Sequence, residues 1–501
     1  MAGIGFELKK LFSVKGMVAT LRAYGYATMV CAGPMLLGFS LLIIIMYIAD
    51  KAGSSRHDRE LLVSMVTYAL LASLTVTSLF SMLTSRFLAD MVYLKEYNSI
   101  IPSFYGSLCI MLVLGGVAYG IFLFFSGVLL LYKVLSFLLF MTLILVWTEI
   151  NYLTAIKDYQ SIILAFATSL LVSIVLAVVF VWGFHIQIVT AMMTAIIIGY
   201  GIMSVWYFGL IYKYFPEGFG TSLKFMAWFD QTPQLGLIGF FITLGLFGHL
   251  VIMWTSRIRV QVEGLFYGAP LHDVAAIFAF FSILITTVNF VTSVETRFYP
   301  KYKDYFSLFN DGGSIVNIEL AEKDMLRVLS EELGYLAQKQ LLATLLFIIL
   351  GTIILPTLPL GFNSEMLRIF RTLCAGYAFY AIGNSIMLIS QYFDDMQGAL
   401  MSSFAYALLT NLLTFIFRNG SSSFYGFGFV IGSAAFCFIA WYRLCYYVHK
   451  LKYYVLSHQN IITESRFTYF TDLFNKLDPR ARRVQKSRIN YYNKRQGIET
   501  E

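Results

Sequence analysis

From Tyr159 to Leu210 the chain carries no Asp, Glu, Lys or Arg. At 1.5 Å per helical residue this run is far longer than one crossing of a hydrocarbon layer about 30 Å thick. It therefore reads as two membrane helices that turn near Gly183-Phe184-His185. The remaining chain repeats the pattern, with apolar stretches long enough to span at Thr20–Ile48, Leu61–Ala89, Ile101–Phe125 and Val134–Ala155. Beyond the uncharged run come Leu235–Thr255, Val274–Val294, Leu341–Leu358, Leu367–Ile389, Ala399–Phe417 and Phe424–Tyr447. The expectation is an all-α membrane protein of twelve transmembrane helices, the first kinked at Gly33-Pro34 where proline removes a backbone hydrogen bond. Composition agrees: 58% of the 501 residues are hydrophobic and 13% are charged, against about a quarter charged in soluble domains. The alternating ten-residue segments of a membrane barrel are absent.

One charged stretch orients the whole. Between Glu295 and Lys339 lies the only long polar insert within the hydrophobic region, and it holds Arg297, Lys301, Lys303, Lys323, Arg327 and Lys339. The positive-inside rule places it in the cytoplasm. Counting from there, 27 of the 36 Lys and Arg fall on the cytoplasmic side if both termini are also cytoplasmic. Residues 1–19 then form a basic amphipathic lead, with Ile4, Leu8, Leu11 and Phe12 on one face. Residues 20–213 and 235–447 form two six-helix bundles joined by a cytoplasmic linker at 214–234, the second bundle carrying the insert 297–339. A faint repeat supports pseudo-symmetry between them. Thr84-Ser85-Arg86-Phe87 and Glu295-Thr296-Arg297-Phe298 end equivalent spans, as do Lys157-Asp158-Tyr159 and Tyr392-Phe393-Asp394-Asp395. Repeated halves of this kind put the substrate path between them.

Residues 448–501 form a basic tail interleaved with aromatics, including Lys476, Arg480, Arg482, Arg483, Phe467, Tyr469 and Phe470. Such a tail suits anionic lipid at the inner surface rather than nucleic acid. A docking surface for a cytoplasmic partner is the sharper alternative.

Charged residues within spans are costly and are the first functional candidates. Glu149, inside the fourth span, has the chemistry to bind a cation, a proton or a sugar amine or hydroxyl; local pairing with Lys157 is the structural alternative. On the external side Arg257, Arg259 and Glu263 follow the seventh span and His272 and Asp273 open the eighth; these, and Arg368 with Arg371 one turn apart, suit a vestibule or simply a solvated loop. At cytoplasmic helix ends stand Arg86, Asp90, Lys157, Asp158, Glu295, Arg297, Asp394 and Asp395. They suit an inner gate, partner contacts or structural ion pairs; Arg86 and Asp90 are spaced to pair along one helical face. Paired aspartates also hold divalent metal in sugar-nucleotide transferases. Here, however, the polar segments are too short for the roughly 100 residues of a soluble domain. No phosphate loop, dinucleotide fingerprint or HExxH occurs, and the five cysteines stand singly in apolar spans. The expectation is no catalytic residue, cofactor or metal.

Met1-Ala-Gly-Ile-Gly-Phe-Glu-Leu-Lys-Lys10, Ala32-Gly33-Pro34, Ser85-Arg86-Phe87-Leu88-Ala89-Asp90, Lys157-Asp158-Tyr159, Val294–Tyr299 and Tyr392–Asp395 together resemble the PelG family. These are the membrane transporters of the Pel exopolysaccharide system. The resemblance runs to about the end of the last span; the tail past His458 is longer than expected, and Met35 stands where the family would have Trp. It implies the multidrug/oligosaccharidyl-lipid/polysaccharide (MOP) flippase fold, two six-helix bundles flanking a central cavity in the cytoplasmic (inner) membrane. It further implies export of the Pel polysaccharide chain, made by a cytoplasmic Pel glycosyltransferase and anchored by other Pel membrane subunits. An N-acetylhexosamine-rich, partly cationic polymer would suit carboxylates such as Glu149 and Glu295. The rival reading is a cation-coupled small-molecule or drug antiporter of the same superfamily. A membrane-embedded sugar transferase and a non-transporting scaffold stand behind it.

Overall fold

The computed structural model describes residues 38, 40–154, 159–215, 218, 222–310, 312–357, 361–457 and 469–477. The basic lead and most of the first expected span lie outside the described residues, as do Lys157 and Asp158; residues 40–51 are helical. Among the described residues eleven helices are long and apolar enough to cross a membrane. They match the second to twelfth expected spans. In order, α1 is Arg56–Tyr93, α2 Ile100–Phe125, α3 Leu130–Leu153, α4 Tyr159–Val178 and α5 Ile188–Tyr214. A short linker helix, α6 (Ala227–Gln231), leads to α7 (Pro233–Met253). The uncharged run thus does turn near Gly183, through a π-helical end at Val179–Gly183.

Three features depart from the expected outline. The loop after α7 contains a two-stranded antiparallel hairpin, β1 (Val260–Glu263) and β2 (Phe266–Gly268), turned by Gly264 in the left-handed region. The next span is interrupted: α8 (Pro270–Phe280) passes through a 3-10 turn at Phe281–Ile283 into α9 (Leu284–Ser293), then a π-helical turn at Val294–Phe298. The charged insert is largely helical. It folds as α10 (Tyr299–Asn310) and the first half of α11 (Ile315–Ile354), a helix of 40 residues that continues into the ninth span. Ser314 caps α11 by accepting from the Asn317 N–H at 3.3 Å. Met325, Leu329 and Leu336 return at helical spacing to bury one face, and Tyr305 of α10 is fully buried. The charges that argue against lipid do not argue against a helix. The chain continues through α12 (Ser364–Tyr392), α13 (Met396–Phe417), α14 (Phe427–His449) and α15 (Leu451–Ser457) to α16 (Tyr469–Leu477).

The chain forms two compact units. One comprises Met65–Asp158, Leu171–Phe240 and Lys452–Glu501; the other comprises Met1–Ser64, Tyr159–Leu170 and Phe241–Leu451. In the first, α3 packs on α2 and α5. Lipid tails are as apolar as leucine, so close packing and buried hydrogen bonds hold such helices together. Accordingly Trp147 donates to Ser73 at 3.1 Å, and the Asn151 side chain both donates to the Ser81 carbonyl at 3.0 Å and accepts from Ser85 at 2.5 Å. Tyr152, fully buried, reaches Ser103 at 3.1 Å. In the second unit α14 packs on both α12 and α13, and α8 packs on α12. The α13–α14 seam needs glycine: a Cβ on Gly432 would lie 2.3 Å from Thr410 Oγ1 and 2.6 Å from its backbone nitrogen.

Candidate functional site

Within the first unit α3 and α5 bring together two residues far apart in sequence. Glu149 is 1% exposed. Its Oε1 accepts a hydrogen bond from Ser204 Oγ at 2.9 Å, while Oε2 has no partner. Both residues line a cavity of about 180 Å³ together with Phe104, Leu108, Leu145, Val205 and Phe208. At about 30 Å³ per water, this holds a few waters or one small polar group, not a folded ligand. The Phe104 and Phe208 rings lie 6.1 Å apart between centroids. Val205, at 74% exposure, marks the open side. A buried carboxylate without compensation is costly. The unpartnered oxygen therefore calls for a proton, a cation or an incoming N–H or O–H donor. No other charged residue singled out in the sequence lines this cavity.

The remaining candidates fall into separate local arrangements. Arg86 lies 3.5 Å from Asp90 along α1, the spacing their i,i+4 positions allow. Asp90 also accepts from the Trp228 indole at 2.8 Å, and that ring packs edge-on against Phe87. Thus α1 is tied to the linker. Lys224 of the linker binds Glu96 at 2.5 Å and donates to Ser99 at 3.1 Å.

Asp230, 9% exposed, caps the described tail helix. It accepts the backbone N–H groups of Phe470 and Thr471 at 3.2 and 2.7 Å, and the Thr471 hydroxyl. The Phe229 and Phe470 rings lie 5.6 Å apart. A carboxylate on the first free N–H groups of a helix matches its dipole. Asp230→Ala is expected to remove a cap worth roughly 1–2 kcal/mol, so trypsin should cut at Lys476 about fivefold faster or more. Asp230→Asn, which still accepts, should stay near the native rate.

In the second unit Arg297 pairs with Glu332 at 2.7 Å, and Ser293 donates to the same carboxylate. This fastens the insert helix α11 to the π-helical turn. Glu295 sits in that turn; its side chain lies outside the described residues. Arg257, Arg259 and Glu263 surround the hairpin: Arg259 lies over the Tyr267 ring at 5.2 Å, and Glu263 lies 3.6 Å from His57. Arg368 donates to Ser422 at 2.8 Å with Glu365 at 3.8 Å, and Arg371 donates to Thr352 at 3.1 Å. Asp394 and Asp395 have different roles. Asp394 adopts the left-handed conformation that ends α12, with φ 65°. Asp395, 3% exposed, caps α13 through the Gly398 N–H at 3.0 Å and takes a two-pronged contact from Arg443 at 2.7 and 2.8 Å.

Ser204, Trp228, Asp230, Glu332 and Arg443 were not singled out in the sequence. Only Arg443 carried a signal, a charge within the last span, which the orientation count assigns to the tail's excess.

A family model described as "PelG: Putative exopolysaccharide Exporter (EPS-E)" matches residues 1–456. No curated protein matches in sequence. Among solved structures, an outward-facing multidrug resistance MATE family transporter of the MOP superfamily is similar, with TM-score 0.55 at 14% identity, covering 85% of this chain and 96% of the other. MATE in the bent conformation gives 0.57 at 14% identity over 86% and 97%. MATE in complex with MaD3S gives 0.56 at 13% over 85% and 96%. The fold is therefore that of MOP-superfamily transporters, in a multi-pass membrane protein.

Proposed function

The chain belongs to the PelG family of exopolysaccharide exporters, and from that premise we propose that it moves the Pel polysaccharide across the cytoplasmic membrane during biofilm matrix synthesis. On this reading a cytoplasmic Pel glycosyltransferase elongates the N-acetylhexosamine-rich chain and feeds it to the transporter. Other Pel membrane subunits hold the two together, and both termini face the cytoplasm. The protein supplies a path and a gate, and no bond-making chemistry. The observation that carries the reading is a family match that includes every expected span. Glu149 adds a chemical fit, because its free oxygen suits the amide, hydroxyl or amine hydrogens of a passing sugar.

The test is to delete the gene in its native host, complement it, and measure secreted and intracellular polymer. Loss of secreted polymer, with recovery of the glycosyltransferase on the tagged protein in mild detergent, is the expected result. Unchanged secretion would overturn the reading. The second reading, a cation-coupled antiporter, draws on the same buried carboxylate and predicts resistance to small toxic cations from this protein alone.

A further inference from the structure

The cavity of the first unit has a lopsided lining. Five of its side chains, Phe104, Leu108, Leu145, Val205 and Phe208, are hydrocarbon alone. The polar pair is half engaged: Ser204 Oγ donates to Glu149 Oε1 at 2.9 Å, while Oε2, on a side chain 1% exposed, has no partner. Beside the open side, the surface of α5 is bare. A Cβ built on Gly201 or Gly209, one turn to either side of Val205, would meet nothing within 4 Å. Aromatic rings continue past the cavity along the same helix. Phe208 and Tyr212 lie 4.8 Å apart between centroids, and the Tyr212 hydroxyl meets that of Tyr105 at 2.5 Å. A buried acceptor is costly until a donor reaches it, and apolar walls gain nothing from water. A group that fits must therefore bring one donor and an apolar body.

We propose that this cavity takes the acetamido group of an N-acetylated sugar, the N–H donating to Glu149 Oε2 and the methyl lying against the apolar walls. The size agrees, because about 180 Å³ admits one ring substituent and not a sugar chain. The ring itself then lies outside, where Val205 and the two glycines leave α5 uncovered and Phe208 and Tyr212 offer aromatic surface to its C–H face. The open side leaves the acetamido carbonyl in contact with water. Other sugar substituents match less well. A hydroxyl can donate to Oε2 but brings no methyl to the walls. An ammonium brings a charge and three donors, and the lining offers it a single oxygen without a partner. The identity of the sugar chain rests on the export reading, since an N-acetylhexosamine polymer presents such a group again and again. The chemistry of the pocket does not rest on it. What the pocket adds is selectivity: it distinguishes acetylated units from those carrying a bare amine or hydroxyl.

Three tetrasaccharides that differ only in the substituent at C2 test this: chitotetraose with acetamido groups, its fully de-acetylated form with amines, and cellotetraose with hydroxyls. Binding to the purified full-length protein in lipid nanodiscs is followed through Trp206, which is exposed beside Val205, as the difference in emission from Trp206→Phe. Chitotetraose should bind about tenfold or more tighter than cellotetraose, the usual consequence of filling or leaving empty a small apolar pocket. Leu145→Phe, which fills the space assigned to the methyl, and Glu149→Gln, which removes the free acceptor, should each bring that ratio close to one. Size-exclusion profiles identify a variant that has not folded, and the native ratio is decisive without either. Equal binding of the two by the native protein, tightest binding of the amine form, or no binding of any would overturn the pocket. So would a ratio that survives in both folded variants. The export reading fails separately: polymer secretion unchanged by gene deletion would overturn it and leave a measured acetamido preference standing, whereas secretion lost on deletion with no preference among the three would overturn the pocket alone.

Discussion

Arg443→Ala is expected to destabilise the protein by about 3–5 kcal/mol, the usual consequence of leaving a buried charge without its partner. Asp395 is 3% exposed and receives Arg443 through both Nε and Nη2. Without the guanidinium it keeps the Gly398 N–H, which caps α13 but does not neutralise the charge. The measurement is the melting temperature in detergent, with membrane abundance beside it; a native-like melt would show that the pair carries no weight. A second variant isolates the cause. Asp395→Asn with Arg443→Met keeps a capping side chain and removes both charges, so most of the lost stability should return. Gly398→Val should resemble Arg443→Ala, because a Cβ there would lie 2.1 Å from Asp395 Oδ2 and 2.5 Å from Arg443 Cγ.

This clamp shows where the sequence is legible and where it is not. The bilayer imposes a length and an apolar character on each crossing, and both are local properties. Most of the second to twelfth expected spans therefore coincide with helices to within a few residues; the exceptions flank the insert, where the eighth runs on from Pro270 to Phe309 through 3-10 and π-helical turns and α11 extends far back. The insert's helices were not legible because its charges are also local, and they mask Met325, Leu329 and Leu336 at helical spacing. Partners are a different matter. Asp394 and Asp395 read as a pair because they are adjacent, yet one ends a helix and the other starts the next and binds a residue 48 positions on. Arg86 and Asp90 were readable because a single helix sets their spacing. Glu149 was readable as a charge inside a span, but nothing in the uncharged run marked Ser204 as its partner 55 residues away. The tail's basic character was plain, whereas its capping by Asp230 depends on a contact 240 residues apart.

Glu149→Gln is expected to lower secreted polymer about tenfold to a hundredfold at unchanged membrane abundance. The replacement has nearly the same shape, and its side-chain oxygen still accepts from Ser204, so the α3–α5 packing has no reason to change. What disappears is the second carboxylate oxygen, the one without a partner in a cavity with an open side. Its place is taken by an amide NH₂, which donates where the carboxylate would accept. A hydrogen bond left unmade at a buried polar group costs about 1–3 kcal/mol, and each 1.36 kcal/mol is about a factor of ten in rate. Ser204→Ala should act in the same direction but less, since it removes one hydrogen bond and leaves the acceptor in place. Glu149→Asp keeps the carboxyl group but shortens its reach by one methylene, so it should fall between the two. The ordering matters more than any single value. If the Glu149→Gln variant secretes like the native protein, Glu149 is not on the path, and the aromatic cavity around it is packing alone.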